Sequence, residues 1–231
     1  LNLNAADAGV GAGSISHIAS SIPSAPTPSL KFKTWKDTTW YYTQVPDWLL
    51  EDAHKYALER REFKRSSTDN VPIFQTDPVE NEKVGIIGEL VCGFLFARNI
   101  NIRLIDRPTD MIDGGDGGAD FYLQRSDDED NLAKIDVKTV ARTVVPKPHY
   151  SCVVAHKQLI RKSGEEILVF VSYTKPSRLA FVLGWLTVAE FNEKARYRRK
   201  GYRYNSFVAP TAFHEVYVRE LRPISELLEW R

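Results

Sequence analysis

Asp120, Asp136 and Lys138 stand at spacings that two adjacent strands would bring together. Asp120 follows the run Gly114-Gly115-Asp116-Gly117-Gly118-Ala119, whose glycines permit a tight loop, and it opens the extended stretch ADFYL. Further on, Ala133-Lys134-Ile135-Asp136-Val137-Lys138-Thr139 reads as a second strand. Side chains alternate along a strand, so Asp136 and Lys138 share one face while Ile135, Val137 and the structural Thr139 take the other. If the two strands pair across the acidic loop RSDDEDN, the two aspartates converge at one end of the hairpin with Lys138 beside them. Such a set suits Mg²⁺, which takes oxygen ligands, commonly one or two carboxylates plus water and substrate phosphate. A metal held there polarises a phosphoryl oxygen and acidifies bound water, and the amine stabilises developing charge or orients and deprotonates the attacking water.

Each piece alone has an ordinary reading. Asp-x-Lys on a strand is commonly a solvated ion pair of little worth, and a Gly/Asp-rich loop is commonly a turn. Order and spacing favour a site, and so does Glu89. That glutamate sits among Ile86, Ile87, Leu90, Val91 and Phe94 in the most apolar helical stretch of the chain. A buried glutamate needs a partner or a metal. Glu82 lies on the same helix side, so a solvated stripe is the competing reading.

The elements that must position these groups follow from hydrophobic period. Helices are expected over 47–65 and 79–98, then strands over 102–105, 119–123, 132–139 and 150–154. A short helix over 156–162 leads to strands over 167–173 and 179–185, separated by the turn Thr174-Lys175-Pro176-Ser177. A helix over 188–199, an extended piece over 215–218 and a helix over 224–230 close the chain. The implied class is α/β, a central mixed sheet flanked by helices. Residues 1–30 are rich in Ala, Ser, Gly and Pro, lack aromatics, and read as a low-complexity tail or linker that orders only against a partner. Residues 31–78 read as a helical extension packed on a core spanning 79–231.

Composition adds bounds. With 43% hydrophobic and 26% charged residues and a net charge of +1, no global field announces a polyanionic partner, so any nucleic-acid surface must be a local patch. The strongest patch runs from Lys194 to Tyr204, where Arg196, Arg198, Arg199, Lys200 and Arg203 interleave with tyrosines; phosphates want the cations and bases want the rings. Its ordinary reading is a basic helix end with tyrosines packed on a sheet. Arg60, Arg61, Lys64 and Arg65 end the first helix; they could flank the other side of a cleft, and are read mainly as complements to the helix dipole. Cys92 and Cys152 lack zinc spacing and read as buried free thiols, which with the absence of an apolar run of membrane-span length points to an intracellular protein. The first residue is Leu, so the chain is expected to be a processed product or a segment of something longer.

Taken in order, Glu89 in Lys83-Val84-Gly85-Ile86-Ile87-Gly88-Glu89-Leu90, Asp120 in Asp116-Gly117-Gly118-Ala119-Asp120-Phe121, and Asp136 and Lys138 in Ile135-Asp136-Val137-Lys138-Thr139 resemble the core motifs of the PD-(D/E)xK nuclease superfamily. Gly184-Trp185-Leu186 before a helix is similar to a later element of small phage and prokaryotic members. Ala119 stands where the superfamily's name has Pro. The resemblance covers roughly 80–228. It implies a restriction-endonuclease-like core with a mixed four- or five-stranded sheet, hydrolysis of DNA phosphodiesters, and Mg²⁺ (or Mn²⁺) held by Asp120 and Asp136 with Glu89 in or near the metal shell. It further implies a polar contribution from Lys157 and Gln158, and a location in the cytoplasm of a prokaryotic host or in association with a virus. A homodimer, placing two sites on two strands, is compatible with it. His149 and His156 lie near the site in sequence but the metal chemistry does not need them. The tail and the Leu start motivate a competing expectation: a non-catalytic nucleic-acid-binding or assembly-associated protein that keeps the nuclease fold. A domain of a larger replication, packaging or defence protein is a third.

Overall fold

The computed structural model describes residues 29–35, 38–64, 77–98, 102–105, 119–125, 128–204 and 207–229. The low-complexity segment up to residue 28, residues 65–76 and the glycine-rich run with Asp116 lie outside the described residues.

The chain forms an α/β structure around a seven-stranded mixed sheet ordered β1-β2-β8-β7-β5-β4-β3. Its strands are β1 (Lys31–Trp35), β2 (Thr38–Gln44), β3 (Ile102–Ile105), β4 (Phe121–Arg125), β5 (Asp128–Arg142), β7 (Ile167–Thr174) and β8 (Leu179–Thr187). Only the β5–β7 pairing is parallel; the others are antiparallel. Every residue of β7 is buried, as a central strand covered on both faces requires. On one face lie α1 (Asp47–Lys64) and α2 (Pro78–Ala97), packed with Ile135, Val137, Val169, Val171 and Val182 into the larger core. The second core carries Leu168, Phe170, Phe181 and Leu183 from the opposite face. It is covered by α4 (Val188–Lys194) and by a three-stranded sheet ordered β6 (Ser151–Ala155), β12 (Phe213–Tyr217), β9 (Arg196–Arg198). A one-turn α3 (His156–Leu159) follows β6, the short β10 (Arg203–Tyr204) pairs with β11 (Phe207–Val208), and α5 (Ile224–Leu228) ends the chain.

Local chemistry explains the helix starts. Asp77 accepts the Val79 N–H at 2.9 Å and Pro78 fills the first turn of α2, where a missing N–H costs nothing. Thr187 and Glu190 form a reciprocal capping box at α4, at 3.1 and 2.9 Å. Gly184, with φ of +150°, admits the C-terminal segment: a Cβ there would overlap Arg222 O and lie 2.9 Å from Leu221 Cβ. Trp185 then exchanges two 3.0 Å backbone hydrogen bonds with Arg222.

Three expectations are corrected. Residues 31–78 are not a wholly helical extension, because β1 and β2 form a hairpin whose second strand pairs with β8 and widens the sheet beyond four or five strands. The helix expected over 188–199 stops at Lys194; Ala195 turns extended and 196–198 become an edge strand on β12. The helix expected over 156–162 is regular only to Leu159, continuing as hydrogen-bonded turns to Lys162.

Helix α2 meets β5 at Gly88. A Cβ there would overlap Thr139 Oγ1 and sit 3.0 Å from its Cβ, so the helix rests directly on the strand. Gly88→Ala is expected to destabilise the protein by about 1–3 kcal/mol through overpacking, measured by urea denaturation, with Thr139→Ala restoring part of the loss.

Candidate active site

The decisive geometry is a change of neighbour along β5. Strand β4 pairs with β5 only as far as Phe121 opposite Ile135. Parallel β7 pairs with β5 on its other side, from Ile135 to Arg142. Beyond Ile135, β5 therefore has no partner on the β4 side among the described strands. Asp120 closes that edge. Its N–H donates to Ile135 O at 2.7 Å, and its carboxylate Oδ2 accepts the Val137 N–H at 2.7 Å. A side chain thus stands where the next residue of the strand ladder would be.

From that edge Asp136 and Lys138 share the face of Leu168 and Phe170, while Ile135 and Val137 enter the core under α2, as strand alternation requires. Asp136 is buried. Its Oδ2 lies 2.7 Å from Lys138 Nζ and 2.9 Å from Lys162 Nζ. Two ammonium groups thus bracket this buried oxygen as ion pairs. Lys162, whose side chain is 6% exposed, also reaches Glu166 Oε2 at 3.1 Å. Burial works to lower the Lys162 pKa, but Asp136 and Glu166 outweigh it and hold the ammonium charged.

Glu89 does not stand alone in its apolar helix. Arg60 of α1 grips both of its oxygens, Nη1 to Oε1 at 3.0 Å and Nη2 to Oε2 at 2.7 Å, and also reaches Glu82 at 3.4 Å. Burial works against the guanidinium's charge, yet Glu89, with Asp120 and Glu82, raises its pKa. Arg60 is thus a partner to a buried carboxylate rather than a complement to its own helix dipole. Asp120 feels the opposite balance. Its pKa is pushed well above 3.8, first by burial, then by the Glu89 and Asp136 carboxylates, with Lys138 and the Val137 N–H pulling the other way.

The site therefore concentrates acid oxygens that repel one another. That donor set suits a hard divalent cation that keeps most of its water. Asp120 and Asp136 are the residues that would hold it. Among the described residues no three Asp, Glu, His or Cys close into a cage, and both Glu89 oxygens are already occupied by Arg60.

No family model, curated protein or solved structure matches this chain.

Two site residues escaped the sequence. Lys162 reaches Asp136, whereas Lys157 and Gln158 are exposed on α3. Its signal was the four-residue spacing to Glu166, which also lies in the turn before β7. Arg60 was hidden because its partner is far along the chain. The basic stretch divides. Arg196 is bound by Glu220 at 3.1 and 2.8 Å and Arg198 by Glu215 at 2.8 Å, while Arg199, Lys200 and Arg203 are exposed. Both cysteines are buried and free, and burial pushes the Cys152 thiol up to about 12, so it is no nucleophile at neutral pH. His149 makes an edge contact with Tyr150, and His156 pairs with His214.

Removing Arg60 strands Glu89. Arg60→Met is expected to cost about 2–3 kcal/mol in urea denaturation, below the about 3–5 of a fully buried pair because Arg60 is 32% exposed. Adding Glu89→Gln should recover most of it. Asp120→Asn keeps an acceptor for the Val137 N–H and removes a charge the fold opposes. A raised carboxyl pKa leaves stability intact below the unfolded value and loses it as pH rises through the folded one. Without divalent ions, Asp120→Asn should therefore melt higher than wild type at pH 7 and equally near pH 4. Mg²⁺ should raise the wild-type Tm and leave that of the variant unchanged.

Proposed function

We propose that this chain is a Mg²⁺-dependent nuclease that hydrolyses DNA phosphodiester bonds on a restriction-endonuclease-like core. The observation that carries the reading is Asp120 closing the open edge of β5 directly beside Asp136 and Lys138. The order of these residues along the chain is that of the Glu, Gly-Gly-x-Asp and Asp-x-Lys motifs. The cation, when bound, would polarise the scissile phosphoryl group and acidify a water. Asp120 and Asp136 hold and orient at that edge. Lys138, the more exposed of the two lysines at 17%, releases Asp136 and turns to the phosphate or the attacking water. Lys162 stays with Asp136 and Glu166 and keeps the Asp136 carboxylate in place. Glu89 completes the acidic set, its orientation held by Arg60. Arg199, Lys200 and Arg203, with Lys157 and Gln158, supply exposed polar contacts to the strand, and Arg196 and Arg198 brace the element that carries them.

A second reading is a non-catalytic nucleic-acid-binding or assembly protein on the same fold, with residues 1–30 engaging a protein partner. It is favoured by the arginine and lysines already neutralising Glu89 and Asp136. We place the nuclease in the cytoplasm of a prokaryotic host or in a virus-associated setting, with a homodimer as one route to cutting both strands.

Purified protein incubated with a panel of DNAs and an RNA control in Mg²⁺ or Mn²⁺ should cleave DNA and be silenced by EDTA. Asp120→Ala and Lys138→Ala should each lose at least about 10²-fold in rate. Wild-type rates in both variants would sink the assignment, and EDTA-resistant binding without cleavage of any substrate would favour the second reading.

A further inference from the structure

Away from Asp136, the rings of His156 and His214 line an open recess of about 170 Å³ together with Leu159, Ile160 and Asn192. His156 Nδ1 and His214 Nε2 are 3.0 Å apart, with ring centroids 5.2 Å apart and planes within 18°. A centroid separation that exceeds the N···N distance by about two ring radii means the imidazoles meet edge to edge, nearly in one plane, and share one proton. Whichever ring donates, one donor and one acceptor nitrogen are left over, and they point outward at opposite ends of the pair. Burial and His156 lower the His214 pKa, which favours its neutral ring. Asn192 adds an amide with both functions.

Tyr197 stands edge-on to both imidazoles, at 5.6 and 5.2 Å between centroids, and is itself 55% exposed. Alternation along β9 explains why. Arg196 and Arg198 take one face, where Glu220 and Glu215 hold them, and Tyr197 takes the other beside His214, its register partner on β12. The basic, tyrosine-rich stretch thus spends two arginines on the fold and presents one ring to solvent. Ile160, 67% exposed, supplies an apolar wall, and Lys157 is exposed next to His156.

We propose that this recess binds one unstacked nucleobase of a single-stranded DNA segment, its face on Tyr197 and its polar edge on one outward nitrogen of the His156–His214 pair and on Asn192. The inference rests on the nuclease reading for its choice of DNA. A base edge offers donors and acceptors side by side, which one outward imidazole nitrogen together with the Asn192 amide can meet, and an exposed aromatic face stacks on any base. The segment from His156 to Lys162 joins the recess to the acidic site. One short piece of chain thus holds the base at one end and Asp136 at the other.

The test is fluorescence anisotropy of a short labelled oligothymidylate in EDTA, where turnover is absent, with an abasic oligonucleotide, a duplex and free thymidine monophosphate in parallel. Tyr197→Ala and His214→Ala should weaken the single strand about tenfold, Tyr197→Phe should bind as wild type, and wild type should bind the abasic strand as weakly as Tyr197→Ala binds oligothymidylate. Duplex affinity should not respond to Tyr197. Wild-type affinity in Tyr197→Ala, an equal loss for abasic and duplex probes, or Tyr197-dependent binding of the mononucleotide but not the strand would each overturn the proposal. Cleavage in Mg²⁺ is scored separately. Tyr197-dependent binding without cleavage keeps the recess and discards the nuclease; cleavage indifferent to Tyr197 does the reverse.

Discussion

Where β4 ends and β5 runs on, the sheet must satisfy a strand edge without a strand. A backbone N–H left unpaired in a half-buried setting costs as much as a lost hydrogen bond, and here the Asp120 carboxylate takes that role for Val137. The solution has a consequence. It fixes a carboxylate at a buried edge, next to Asp136 and within the field of Glu89, where its charge is opposed. The fold answers with cations: Arg60 on Glu89, and Lys138 and Lys162 on Asp136. The acidic set is thus retained at an electrostatic cost that a bound cation would relieve.

The two layers on the sheet divide the labour. On the α1–α2 side, Gly88 lets the helix rest on Thr139 and so sets the height of Glu89 over the sheet edge. On the other side, the turns after β6 carry Lys162 down to Asp136 and leave His156 at the surface beside His214. Neither layer alone holds the site, because Glu89 arrives from one face and Asp136 points to the other. Asp120, at the end of a strand rather than within one, is the group that connects them.

The parts of this arrangement legible in the sequence are those that depend on local period. Alternation along β5 separated Asp136 and Lys138 from Val137 and Thr139, and the apolar run of α2 marked Glu89 as a residue in need of a partner. The partner itself was not legible, because Arg60 meets Glu89 through tertiary packing of two helices and no spacing rule reaches that far. The β1–β2 hairpin was hidden for a related reason: its Thr, Tyr and Trp residues suit a strand, but pairing with β8 is a long-range event. The basic stretch misled because helical and strand periods are hard to tell apart over so few residues. Lys162 was passed over for Lys157 since irregular turns, not a helix, set which lysine faces the sheet.

A divalent cation between Asp120 and Asp136 is the central claim. Crystals soaked in Mn²⁺ and measured at the manganese edge test it most directly. The account predicts an anomalous peak bounded by those two carboxylates, with Lys138 displaced from Asp136 and Lys162 still in place. Saturating Mn²⁺ that leaves no peak, with both lysines on the Asp136 carboxylate, would contradict it.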